Sequence, residues 1–219
     1  MQAYMKSALP YRGVPVPAQR ALYRRLFAEH PLESEAAWRR AVLELWRDAA
    51  FREERYAATE LAHARRYAAY RTLDALPVFE EMIVDGAWWD HVDAVATHGI
   101  AELLRNEPRR MRRTLLAWSK CDDMWKRRSA IIAQVSFKSE TDLELLYACI
   151  EPNLSHRDFF IRKAIGWALR AYAWIDPDEV VRYVRAHQAR LSGLSRREAL
   201  KNVVAGTAQA RVRRVERKS

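Results

Sequence analysis

The sequence predicts an all-α fold, a HEAT-like helical-repeat solenoid of about six helix pairs. Three observations predict it. Apolar residues recur at three- and four-residue intervals nearly everywhere, as in AAWRRAVLELWRDAAF over 36–51, and no segment sustains the alternation or the valine-rich run of a strand. Helix-breaking punctuation cuts the chain into stretches of ordinary helical length. Similar helical segments return about every 35 residues.

The punctuation falls, in order, at PYRGVPVP (10–17), HPLESE (30–35), DALP (74–77), DG (85–86), NEP (106–108), SKCDD (119–123), FKSET (137–141), EPNLSHRD (151–158), DPDE (176–179) and LSGLS (191–195). About ten helices lie between these breaks. Stacking DMWKRRSAI (123–131) on DFFIRKAI (158–165) aligns Arg127 with Arg162 and Arg128 with Lys163, and a further step of 35 reaches Arg197 and Glu198 in SRREALK. Backwards, the register meets Val92 and Asp93, then Arg55 and Tyr56 after a 37-residue step, then Arg20 and Ala21. Six copies of one helix pair, each burying its apolar face on its neighbours, account for this. A non-repeating helical bundle is the alternative.

The chain has 219 residues, half of them apolar, enough for one domain or two small ones. We read 1–205 as one HEAT-like repeat domain and 206–219 as a basic tail. Lys and Arg number 38 against 28 acidic residues, which favours a polyanionic partner. No apolar run is long enough to cross a bilayer and the N-terminus lacks the apolar core of a secretion signal, so a cytoplasmic protein without membrane contact is expected. Cys121 and Cys149 have no CxxC spacing and read as ordinary thiols.

If the second helix of each pair lines the concave side, Asp93, Arg128 and Lys163 form a row on successive helices, roughly 8 to 10 Å apart. Trp89 precedes Asp93 by four residues and Trp167 follows Lys163 by the same interval, about one turn on the same face. Most tryptophans on helical faces are core, and Trp38, Trp46, Trp118 and Trp125, with aliphatic neighbours, read as packing residues. An aspartate facing arginines is as readily a structural salt bridge as a catalyst. The coincidence of two indoles, a carboxylate and cations in one row raises the functional reading. The clusters PRRMRR (108–113) and KRR (126–128) and the tail ARVRRVERKS (210–219) read either as solvated faces or as phosphate contacts.

Other chemistry is poorly supported. Glu60 and His63 have the spacing of half a di-iron site, but no second Glu-x-x-His exists, so no metal or other cofactor is expected. There is no GxGxxG, P-loop or G-x-S-x-G. His91 lies on the helix of Asp93 and reads as a group able to titrate near neutrality, pointing away from the Trp89 and Asp93 face.

WWDHVD, MWKRRSAI, DFFIRKAIGWALRAY and LSRREALK, with YMKSALPYRGVPVPAQR ahead of them, resemble the bacterial DNA alkylation repair glycosylases of the AlkD type across roughly residues 4–204. The resemblance implies HEAT-like repeats cradling duplex DNA on a basic concave face, and a catalytic set carried over by motif onto Trp89, Asp93, Arg128 and Trp167. It further implies excision of positively charged N3- or N7-alkylated purines in base excision repair, without a need for base flipping. DNA contacts are expected from Arg109, Arg110, Arg113, Lys126, Arg127, Arg162, Lys163 and Arg197, and the protein is expected to act as a monomer on double-stranded DNA. His91 departs from the family pattern, where a small residue is expected. Two rivals stand beside this reading: a non-catalytic solenoid binding distorted or branched DNA, and a protein-interaction scaffold.

Overall fold

A computed structural model of the chain describes residues 2–203, and every regular element in that span is helical. The basic tail, 206–219, lies outside the described residues. Thirteen α-helices follow one another among the described residues. They are α1 (Gln2–Met5), α2 (Val16–Glu29), α3 (Glu35–Arg47), α4 (Arg52–His63), α5 (Leu76–Gly86), α6 (Trp89–Ala94), α7 (Ala101–Asn106), α8 (Pro108–Trp118), α9 (Met124–Ile132), α10 (Leu143–Ile150), α11 (Phe159–Tyr172), α12 (Pro177–Ala186) and α13 (Gly193–Ala199).

The excess over about ten helices has two causes. A π-helical segment, Val95–Ile100, joins α6 to α7 with helical backbone at both junctions, so 89–106 is one rod with a wider turn inside it. The break between α3 and α4 contains neither glycine nor proline. There the Glu54 carboxylate accepts the amides of Ala50 (2.6 Å) and Phe51 (3.0 Å), supplying partners that the start of α4 would otherwise lack.

The repeat is clearest in where the second helix of each pair begins. The residues preceding α2, α4, α6, α9, α11 and α13 are Pro15, Phe51, Trp88, Asp123, Asp158 and Ser192, in steps of 36, 37, 35, 35 and 34 residues. The first helices of the pairs are α1, α3, α5, α8, α10 and α12, and α7 continues α6. The expected six helix pairs are therefore present.

The chain forms two compact units, Met1–Glu107 and from Pro108 onward. In the first, α2 packs on α4, α4 packs on α6 and the π segment, and α3 packs on α5. Trp38, Trp46, Phe79, Met82, Ile83, Ile100 and Leu103 are sealed in its core, each worth about 1.5 to 3 kcal/mol or more of burial. The indole N–H of Trp38 donates to the Leu61 carbonyl (3.2 Å) and that of Trp46 to Asp85 Oδ2 (2.9 Å), so neither ring is buried with an unmet donor. The N-terminal segment is held by Glu53, whose carboxylate accepts the amides of Arg12 (3.1 Å) and Gly13 (2.8 Å).

In the second unit, α11 packs on both α9 and α13, and α8 packs on α10. Met111, Leu115, Ile131, Ile132 and Leu145 are its largest sealed side chains, and Trp118 and Trp125 are buried as the sequence predicts. Side-chain caps start α9 to α13: Asp123 accepts from Lys126 N, Asp142 from Leu145 N, Asp158 from Phe160 N and Ile161 N, Asp176 from Glu179 N, and Ser192 from Ser195 N.

Candidate active site

In the first unit the site is built on α6. The turn leading into it puts Ala87 in the left-handed region (φ 39°, ψ 33°), and Gly86 just before it remains helical. A Cβ on Gly86 would lie 3.1 Å from Trp46 Cζ2 and 3.2 Å from His91 Cβ, so glycine is needed where α5 approaches α6, and the alanine carries the positive φ. From Trp89 the chain winds through one turn to Asp93. Both side chains are half-buried at the surface, while Val92, Val95 and Ala96 on the other side are sealed. Thr97 Oγ1 donates to the Asp93 carbonyl (2.7 Å), inside the π segment. Trp89, Asp93 and Thr97 thus share the accessible face, as four-residue spacing predicts.

His91 corrects one expectation. It does point away from the Trp89 and Asp93 face, but it is 1% exposed. It is packed edge-on to Trp46 (4.9 Å between centroids) and 5.2 Å from the Tyr56 ring, and neither ring nitrogen has a hydrogen-bond partner. Burial drives its pKa down to about 3, with Asp90 opposing and Arg52 and Arg55 adding to the depression. It is a neutral core histidine at pH 7, and titration near neutrality is ruled out by its desolvation. His63 is similar: stacked on Phe79, with its pKa pulled to about 3 chiefly by burial.

Asp90, which the sequence reading passed over, occupies the other flank of α6. Its Oδ1 pairs with Arg52 Nη2 (2.6 Å) and its Oδ2 accepts from the Tyr56 hydroxyl (2.7 Å). The signal available in the sequence was the acid of WWD at the second position of a helix, with an arginine and a tyrosine opening the helix one repeat earlier.

In the second unit Arg128 sits on α9 with only 5% of its surface exposed. Its Nη1 donates to the Phe160 carbonyl (2.6 Å) and its guanidinium lies 5.9 Å from the Phe160 ring. Lys163 and Trp167 lie one turn apart on α11, both half-buried. Lys163 pairs with Glu198 Oε1 (3.2 Å), and the same buried carboxylate meets Arg170 (2.8 Å) and, closely, Lys201. Burial pushes the Glu198 carboxyl up, but hydrogen bonds from Lys201 and Lys163 hold it below its usual range. The register had placed Glu198 at the position of Arg128 and Lys163, and that coincidence was the sign of its role.

The remaining cations differ in what they can offer. Arg127 is engaged on three sides, with Cys121 O (2.5 Å), Asn153 Oδ1 (3.2 Å) and Lys120 O (3.1 Å), and so ties down the loop before α9. Arg162 Nε donates to the Asp158 carbonyl (3.3 Å), and the Lys126 ammonium lies 5.3 Å from the Trp118 ring centroid. Arg109, Arg110 and Arg113 are exposed on α8, a first helix, and Arg197 is exposed on α13.

A family model described as DNA alkylation repair enzyme matches residues 1–203. The chain belongs to this family. Its fold is similar to a solved structure described as a predicted DNA alkylation repair enzyme from Enterococcus faecalis, with a TM-score of 0.82 and 28% identity over 92% of each chain. No curated relative matches the chain. The family match spans all four residues of the carried-over catalytic set. Among the described residues no group of three or more His, Cys, Asp or Glu side chains is arranged to hold a metal ion, and no helix is long and apolar enough to cross a membrane.

Proposed function

We propose that this family member is a DNA glycosylase that releases positively charged N3- or N7-alkylated purines from duplex DNA, the first step of base excision repair. The observation that carries the reading is the accessible face of α6, where an indole and a carboxylate one turn apart both lie half-buried at the surface while His91 and Val92 behind them are sealed. Such a pair suits a reacting centre that becomes cationic. An alkylated purine already bears positive charge and leaves with little acid assistance. The barrier then lies at the deoxyribose, which gains positive charge as the N-glycosidic bond lengthens.

Asp93 is the group we assign to that charge. A fixed carboxylate in a partly dehydrated site stabilises oxocarbenium character and orients the attacking water. The electron-rich face of Trp89, beside Asp93, is assigned to the cationic sugar and lesion, and Trp167 is assigned a contact of the same kind by the family resemblance alone, each worth about 0.5 to 2 kcal/mol. Arg128, whose Nη1 donates to the Phe160 carbonyl, is assigned to a phosphate beside the lesion by the family resemblance. Arg197, exposed on the second helix α13, is the strongest candidate for a backbone contact, with Lys126, Arg162 and Lys163 secondary and Arg127 a support for its loop; Arg109, Arg110 and Arg113, exposed on a first helix, stand off the row of second helices and rank below them. Enzymes that extrude a base into a pocket bear a cost of unstacking. Resemblance to the AlkD-type glycosylases favours a route in which the lesion is contacted through its backbone and is not flipped.

The test is release of 7-methylguanine from methylated duplex DNA, beside hypoxanthine and uracil substrates. Excision of the cationic base and neglect of the two neutral ones is expected. In Asp93→Asn, DNA binding should persist while excision falls by roughly a hundredfold or more, the scale seen when one electrostatic stabiliser is removed. Equal release of uracil, or wild-type rates from Asp93→Asn, would remove the mechanism.

A further inference from the structure

We propose that Asp90 is a positioning residue: clamped by Arg52 and Tyr56 of α4, its buried carboxylate fixes the first turn of α6 and hence the direction in which Trp89 and Asp93 are presented. The inference rests on the reading that Trp89 and Asp93 perform the chemistry.

Both oxygens of Asp90 are held. Oδ1 receives Arg52 Nη2 (2.6 Å) and the amide of His91 (3.0 Å), and Oδ2 receives the Tyr56 hydroxyl (2.7 Å). The Arg52 and Asp90 side chains are only 6% and 12% exposed, so the pair is not a solvated surface contact. The α4 side of the clamp is itself anchored. The Arg52 amide donates to the Pro10 carbonyl (2.9 Å), its Nη1 lies 3.5 Å from Ser7 Oγ, and the Tyr56 hydroxyl meets that of Tyr11 (3.2 Å). The segment 7–11, α4 and the start of α6 are therefore tied at one point.

Two facts argue that the clamp sets geometry and does more than add stability. First, α6 begins after Trp88, which makes no side-chain cap, whereas α9, α11 and α13 begin at Asp123, Asp158 and Ser192, each accepting from its own first turn. Asp90 bonds across to α4 and takes over the task of fixing that end. Second, burying an ion pair returns little net stability, because desolvation offsets the attraction, while its direction-dependent bonds still specify one orientation. Trp89 and Asp93 stand one residue before and three after the clamped position, so a small rotation of this turn displaces both. A displacement of about 1 Å is enough to cost about a hundredfold in rate.

The experiment compares the full-length wild type with Asp90→Asn and with the double variant Arg52→Met, Asp90→Leu. Read-outs are the single-turnover rate of 7-methylguanine release, Kd for the same methylated duplex, and Tm. Asp90→Asn retains an acceptor for Tyr56 but cannot neutralise Arg52. Its excision rate is expected to fall about 10- to 100-fold, with Kd changed less than about twofold. The double variant removes both charges and should keep its Tm while remaining slow. The proposal is overturned if folded Asp90→Asn excises within about twofold of wild type, if its Kd weakens as much as its rate, or if the double variant recovers full speed. Where Asp90→Asn does not fold, the double variant decides. If the wild type releases no 7-methylguanine, the functional reading fails, and hydrogen exchange of the amides of 89–94 then judges the clamp. Exchange about tenfold faster in the variant supports it, and unchanged exchange overturns it.

Discussion

His91 shows how much a single residue's environment changes its chemistry. In sequence it stands between Trp89 and Asp93 and reads as a group able to titrate near neutrality; in the folded chain it is a neutral ring between Trp46 and Tyr56 with a pKa of about 3. The unfolded chain binds its proton near pH 6.5 and the folded chain refuses it until about pH 3. Its contribution to stability is therefore complete above about pH 6.5 and is lost as pH falls through that window, at up to about 1.4 kcal/mol per pH unit. His63 acts in the same direction. Urea unfolding at pH 7 and pH 5.5, where most carboxylates are still ionised, should show a midpoint that falls with acid in the wild type. The drop should be smaller in His91→Leu, and equal drops in the two proteins would show that His91 does not resist protonation.

At the scale of elements, the contact between α11 and α13 is the most demanding in the second unit. A Cβ on Gly166 would overlap Glu198 Cβ and lie 3.0 Å from the Ser195 carbonyl, a backbone atom that cannot swing aside. Gly166 sits between Lys163 and Trp167 on the same helix, so this close approach also sets their height on α11. Gly166→Ala is expected to cost about 1 to 3 kcal/mol as overpacking, against the roughly 1 kcal/mol gain that alanine usually brings to an open helix. Thermal unfolding checks it: a Tm equal to or above wild type would mean that the two helices separate without penalty. The π segment after Asp93 and the glutamate-capped turn before α4 are the other element-scale features. Neither was legible, because a π turn has no distinctive composition and a capping glutamate resembles any acid in a helix's first turn. The N-terminal clamp of Glu53 on Arg12 and Gly13 was hidden for the same reason: its partners lie about 40 residues away in sequence.

For the whole molecule, ten surplus positive charges make binding to a polyanion strongly salt-dependent. If six to ten phosphates are neutralised, affinity for duplex DNA should fall roughly 10³- to 10⁵-fold between 50 and 200 mM salt, measurable by fluorescence anisotropy. A nearly flat dependence would favour the protein-interaction scaffold. Helical class, the spacing of the second helices, the buried tryptophans and the accessible placement of Trp89 and Trp167 were all legible in the sequence. They follow from local rules: periodicity sets which face is apolar, and caps set where helices begin. Folding alone decided which charges are free. Lys163 is matched by Glu198, Arg128 is nearly buried against Phe160 and Asp90 is clamped by Arg52, each by a neighbour about a whole repeat away, while Arg127 is consumed largely by its own loop. Sequence thus determined what the chain builds and where along it the reactive side chains stand, and the tertiary structure determined which charged side chains are engaged by neighbours within the fold.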